Sequence, residues 1–189
     1  MKQATVDKII NSGYECCMAI TGGGMGAIDN LTRYGGASKF LVSAHVPYCK
    51  NSFNEFTGHN REKDFVSLEA CKELTYSAHE ECCRVGVARL ITHEKSIGLG
   101  VTAKMTYDGE REGREHEAFI GVVINNDRNV FYKVEFKQDY FYHRAMQEEC
   151  LCHIILSILA RLGGSKVGWY SRPEYEDGFT ITLVEGKGL

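Results

Sequence analysis

Thr21 carries the only hydroxyl in the stretch AITGGGMGA (19–27), and three glycines follow it. A turn made of Gly22, Gly23 and Gly24 can bring backbone N–H groups close to an anion ahead of a helix. It can equally be a tight strand-to-helix turn that only glycine tolerates. The stretch fits neither G-x-G-x-x-G nor the P-loop pattern, which ends in Gly-Lys-Ser/Thr. A threonine attacks a carbonyl when a strong base stands beside it, and no base is evident within the stretch.

The chain has eight cysteines. Cys16-Cys17 and Cys82-Cys83 are adjacent rather than spaced as C-x-x-C. In a helix, Cys150 and Cys152 of Cys150-x-Cys152-His153 would point to different faces. These thiols read as small buried side chains, so neither a metal nor another cofactor is expected. His45 lies in an apolar strand and reads as a packed histidine rather than a base. His79, His93, His143 and His153 show no ligand spacing to one another. The run GEREGREHE (109–117) reads as a solvated charged loop, which could offer Arg111 or Arg114 to a phosphate if it folds over a site.

The elements that must position these groups follow from periodicity. A helix over Val6, Ile9 and Ile10 is stopped by Gly13. Tyr14 to Ile20 reads as a buried strand, and residues 24–33 as a short helix. FLVSAHVPY (40–48) reads as a second strand, with Phe40, Val42, Ala44 and Val46 on one face. Residues 49–53 continue as strand or loop. Ser67 caps a helix with the stripe Cys71, Leu74, Ala78, Cys82 and Val85, running to about residue 91. A strand over 96–102 precedes a β-hairpin of 117–125 and 129–136, turned at Asn126-Asp127. The last helix is expected over 140–162, with Leu151, Ile154, Ile155, Ile158, Leu159 and Leu162 on its packed face. FTITLV (179–184) would add an edge strand. The fold class is α/β, in the form of an α+β sandwich whose mixed sheet carries a hairpin and is flanked by helices.

The whole chain of 189 residues is 43% hydrophobic and 25% charged, with a formal net charge of −3. Those figures fit a globular domain and give no reason to expect a nucleic acid or an anionic membrane as partner. No apolar run approaches a membrane span, and MKQATVDKIINSGYE lacks the apolar centre of a signal peptide. A cytoplasmic protein is the expectation.

The order of these motifs resembles the CinA C-terminal-domain family, the nicotinamide mononucleotide amidohydrolases. LTRYGGASKF (31–40) matches the family's L-T followed by G-a-S-x-x-F. The spacing from Gly36 sets Tyr48 on the tyrosine of Y-S-N-E-A-K. Val66-Ser67 matches its helix-capping V-S, Thr102 the threonine of T-G-I-A-G-P, and Arg144 an arginine near the start of the final helix. The likeness covers residues 1 to about 162, which makes 1–162 a CinA C-terminal-like domain and 163–189 an extension packed on it. It implies a self-associating protein with a nucleotide-like small-molecule partner. An ungapped alignment sets Thr21 on the family's nucleophilic serine; pairing the glycines sets Ile20 there.

The departures bear on the chemistry. Phe53 falls where the family's activating lysine stands, with Lys50 nearby, and Lys104-Met105-Thr106-Tyr107-Asp108-Gly109 replaces A-G-P-x-G-G. Three functions follow from the resemblance. The chain binds a nucleotide-like molecule at Gly22, Gly23, Gly24, Thr102 and Arg144, with the amidase chemistry lost or altered. Alternatively it hydrolyses the C–N amide bond of nicotinamide mononucleotide or a related amide. Thr21 would then be the nucleophile, Tyr48 or Lys50 the proton shuttle, and the glycine turn the oxyanion or phosphate holder. Or it is a structural subunit with a filled pocket.

Overall fold

Val6, Ile9 and Ile10 recur at helical spacing and are buried along one side of α1 (Gln3–Ile10). The computed structural model describes residues 3–88, 95–110, 112–125, 127–138, 140, 143–164 and 177–188. After Gly13 the chain enters β1 (Glu15–Thr21), whose sequence ECCMAIT has no polar alternation because both of its faces are covered. α2 (Gly26–Thr32) and a short 3₁₀ turn (Ala37–Lys39) lead to β2 (Leu41–His45). α3 (Lys50–Thr57) and α4 (Leu68–Ala88) then precede β3 (Ser96–Lys104). β4 (His116–Ile124) and β5 (Arg128–Phe136) form the hairpin, α5 (Arg144–Leu162) follows, and β6 (Phe179–Gly186) comes last.

The six strands make one sheet in the order β2-β1-β3-β4-β5-β6. β1 runs parallel to both β2 and β3, and the remaining neighbours are antiparallel. The architecture is therefore α/β with a mixed sheet. On one face, Cys16, Met18 and Ile20 of β1 join Leu99, Val101, Leu151 and Ile155 in the main core beneath α1, α2 and α5. On the other, Cys17 and Ala19 meet Phe53 of α3 and Leu74, Ala78 and Cys82 of α4. α4 lies very close to the sheet. A Cβ on Gly100 would stand 2.3 Å from the Thr75 hydroxyl, so only glycine admits the helix at this distance.

Three elements differ from the sequence reading. β2 ends at His45, and the expected one-sided stripe is absent. Phe40 has helical backbone angles at the end of the 3₁₀ turn and enters the main core, while Val42 packs on the opposite side and Val46 is exposed. Residues 50–57 form a helix rather than strand or loop. Ser52 and Cys49 cap it reciprocally: the Cys49 N–H donates to Ser52 Oγ at 3.2 Å, and the Cys49 sulfur accepts from the Ser52 backbone. α5 begins at Arg144, a turn later than 140. β4 ends at Ile124 and β5 begins at Arg128, with Asn125 in a left-handed conformation (φ 56°); Asn126 of the expected turn lies outside the described residues. The expected end of α4 near residue 91 lies outside the described residues, as do Arg111 and His93. Among the described residues no helix is long and apolar enough to cross a membrane.

Candidate functional site

Thr21 is the last residue of β1 and pairs in register with Thr102 of the neighbouring parallel strand β3. By strand alternation Thr21 follows Cys17 and Ala19 toward α3 and α4, and Thr102 follows Gly98 and Gly100, whose missing Cβ atoms face His79 and Thr75 of α4. Ile20 points the other way and is fully buried in the main core. The hydroxyl of Thr21, not the Ile20 side chain, therefore comes up at this strand end. Thr21 is 8% exposed. Thr102 is wholly buried, and its hydroxyl has no hydrogen-bond partner among the described residues. A lone buried hydroxyl is costly, which marks this strand end as unusual.

Gly22 follows with φ 79°, and a Cβ there would lie 2.0 Å from the Ala103 carbonyl oxygen. The turn thus lies flat against β3, and two charged side chains of α5 hold its ends. Arg144 donates from Nη2 to the Gly22 carbonyl, and the same nitrogen lies 3.4 Å from the Tyr48 hydroxyl. Glu148, one helical turn on, accepts the Gly24 N–H on Oε2 at 2.6 Å and the Gly26 N–H on Oε1 at 3.1 Å. Leu151 and Ile155 continue the same face of α5 and pack beneath Gly24. The structure so brings Thr21, Gly22, Gly23, Gly24, Tyr48, Thr102 and Arg144 to one end of the sheet.

Lys50 and Phe53 are less available. Lys50, in the first turn of α3, forms an ion pair with Glu62. Phe53 is 1% exposed and meets Phe65 edge-on at 5.2 Å between centroids.

The loop after β3 grips α5 between these two contacts. The Thr106 N–H donates to Gln147 Oε1 at 2.8 Å, which fixes the amide and leaves its NH₂ facing His116 Nδ1 at 2.9 Å. His116 Nδ1 must accept there, so its proton sits on Nε2 and is given to Glu110 at 2.9 Å. Glu110 also takes the Thr106 hydroxyl at 2.8 Å and Arg114 at 3.1 Å. Burial pushes the Glu110 carboxyl up, but the bonds from Thr106, His116 and Arg114 outweigh it and hold the group at about 2. Arg114 is further bound to the Met105 carbonyl and stacked over Tyr107 at 4.7 Å. Its partners are those of its own loop.

Glu148 and Gln147 escaped the sequence reading. The only signal was spacing: Glu148 lies three residues before Leu151 and seven before Ile155, on the packed stripe. Cys49 was read with the other thiols as a small buried side chain, and the structure corrects this. It is the exposed cysteine, and its hydrogen-bond contacts with the Ser52 side chain and then the Ser52 backbone hold the thiol below its ordinary range. The buried thiols move the other way, Cys17 and Cys71 being pushed up to about 12 by burial.

Solved structures share this arrangement of elements. The competence/damage inducible protein CihA from Agrobacterium tumefaciens superposes with a TM-score of 0.66 at 13% identity, over 84% of this chain and 93% of that one. The fold is the CinA fold. A CinA superfamily protein from Enterobacter cloacae gives a TM-score of 0.62 at 13% identity, over 84% of this chain and 90% of its own. The competence damage-inducible protein A (ComA) from Klebsiella pneumoniae gives 0.62 at 11% identity, over 88% and 98%. No protein-family model matches the sequence, and no curated protein sequence matches it. At these identities the likeness is one of fold. Within the CinA fold, the region around Thr21 and Thr102 is the end of the sheet where two parallel strands finish side by side.

Proposed function

We propose that this CinA-fold protein binds a nucleotide-like small molecule at the carboxyl ends of β1 and β3, with the amidase chemistry suggested by its sequence resemblance lost or altered. The chain leaves β1 toward β2 with α2 over one face and returns to β3 with α4 over the other. Such a reversal opens a crevice outside the strand ends, where open α/β sheets hold ligands. The nearly buried Thr21–Thr102 pair ends the two strands beneath the proposed crevice, with Arg144 bonded to the Gly22 carbonyl and beside the Tyr48 hydroxyl.

The observation that carries the loss of chemistry is Phe53. The position expected to supply a lysine base is a phenyl ring buried in the α3–α4 core, and Lys50 is engaged with Glu62. A hydroxyl without a base loses most of its rate, because nucleophile and base act as one unit.

The test is ammonia release from nicotinamide mononucleotide at high protein concentration, wild type beside Thr21→Ala, with a thermal-shift panel of nucleotides. The reading expects no ammonia from either protein and a shift with at least one nucleotide. A ligand at 100 times its dissociation constant adds about 2.7 kcal/mol. Ammonia that disappears in Thr21→Ala would replace this reading with an amidohydrolase that uses Thr21 as nucleophile. Neither ammonia nor a shift would leave a structural subunit with a filled pocket.

A further inference from the structure

The glycine turn already holds an anion, and it is the protein's own. Glu148 places both carboxylate oxygens on turn amides, Oε2 on Gly24 and Oε1 on Gly26. A Cβ on Gly23 would stand 3.1 Å from the same Oε2, so the carboxylate lies against the turn along its length. The Cys152 sulfur lies behind it, 3.6 Å from Oε1. The donors that a ligand phosphate or an oxyanion would use at Gly24 and Gly26 are thus committed to a fixed negative charge. A second anion brought to them meets like-charge repulsion at close range, and repulsion of that kind selects between ligands as strongly as attraction does.

We propose that Glu148 is a specificity-determining residue that closes the glycine turn to anionic groups. The crevice therefore takes the nucleoside part of a nucleotide-like ligand and rejects a phosphate from the turn. This rests on the reading that the crevice binds such a ligand, and it refines which member of that class enters. Arg144 donates from Nη2 to the Gly22 carbonyl, at the other end of the turn from the Gly24 and Gly26 amides that Glu148 holds.

The experiment is calorimetric titration of nicotinamide riboside and of its 5′-monophosphate into wild type and Glu148→Gln, with inorganic phosphate as competitor. In the wild type the riboside is expected to bind at least as tightly as the monophosphate, and millimolar phosphate should leave its affinity unchanged. That measurement needs no variant. Glu148→Gln keeps an acceptor for the turn but removes the charge, and should raise monophosphate affinity about tenfold or more while leaving the riboside within about twofold. A wild type that prefers the monophosphate about tenfold, or a variant that changes both ligands equally, overturns the role of Glu148 and leaves the proposed binding site standing. A monophosphate that binds only the variant, with no riboside binding to either protein, removes the proposed site in the native chain and keeps the exclusion. No binding of any probe to either protein removes both.

Discussion

The β1–α2 turn and the β3–β4 loop are both fastened to the first two turns of α5, by opposite chemistry. The turn is held by full charges acting on backbone: Arg144 on the Gly22 carbonyl, Glu148 on the Gly24 and Gly26 amides. The loop is held between them by the uncharged amide of Gln147, itself fully buried, acting on a backbone N–H and an imidazole. A buried ion in the Gln147 position would face a large desolvation cost, whereas an amide can satisfy one donor and one acceptor there without carrying charge. The charged grip sits at a partly buried rim; the neutral one sits in the interior.

The comparison can be broken most severely at the turn. Gly22→Ala would drive a Cβ into the Ala103 carbonyl from a left-handed backbone, and both insults act on main chain that cannot rotate away. A loss of about 3 kcal/mol or more is expected in chemical denaturation. At the loop, Gln147→Leu strands the Thr106 N–H and the His116 ring nitrogen in a buried setting. The expected cost is about 2–3 kcal/mol, read in the same way, with the Thr106 amide losing its hydrogen-exchange protection. If Gly22→Ala proves milder than Gln147→Leu, the turn is less tightly seated than its geometry indicates.

The smallest effect is in pH. Glu110 is depressed to about 2 against an ordinary value near 4.5. A depressed carboxyl contributes stability above its unfolded pKa and loses it as pH falls through the folded one. Its contribution should therefore be whole above about pH 5 and fade between about 4.5 and 2. Denaturation of wild type and Glu110→Gln at pH 7 and pH 3 checks this: the gap between them should narrow at pH 3. An equal gap at both would separate Glu110 from the loop's fastening.

Much of the scaffold was legible because it rests on periodicity. The stripe from Cys71 to Cys82 and the run from Leu151 to Leu162 each mark a buried helix face, and the β-rich runs either side of Asn126-Asp127 mark the hairpin. The helix over 50–57 was hidden because KNSFNEFT offers few apolar positions, and its cap is a cysteine rather than the serine or aspartate a cap usually shows. Phe40 was misplaced because an alternating pattern does not reveal that one of its members lies in the turn before the strand. At the site, the glycine turn was visible in the residues themselves, whereas Thr21, Thr102 and Arg144 were singled out through the resemblance to the CinA C-terminal-domain family; the structure sets them at one end of the sheet. Glu148 was singled out by neither: a glutamate on a helix carries no mark of the backbone amides, more than a hundred residues earlier, that it will meet.

The central place of β1 has a consequence for how the chain is made. β1 is complete by residue 21, yet one of its edges is closed by β3, which begins at residue 96. A chain emerging from its N-terminus can pair β1 with β2 early, but it carries the open edge of an apolar strand until some seventy further residues have followed. Non-local parallel pairing of this kind forms slowly and leaves strand edges open to other chains. The nascent N-terminal half is therefore the stretch of this protein most in need of protection from aggregation during synthesis, while the β4–β5 hairpin can close as soon as it appears.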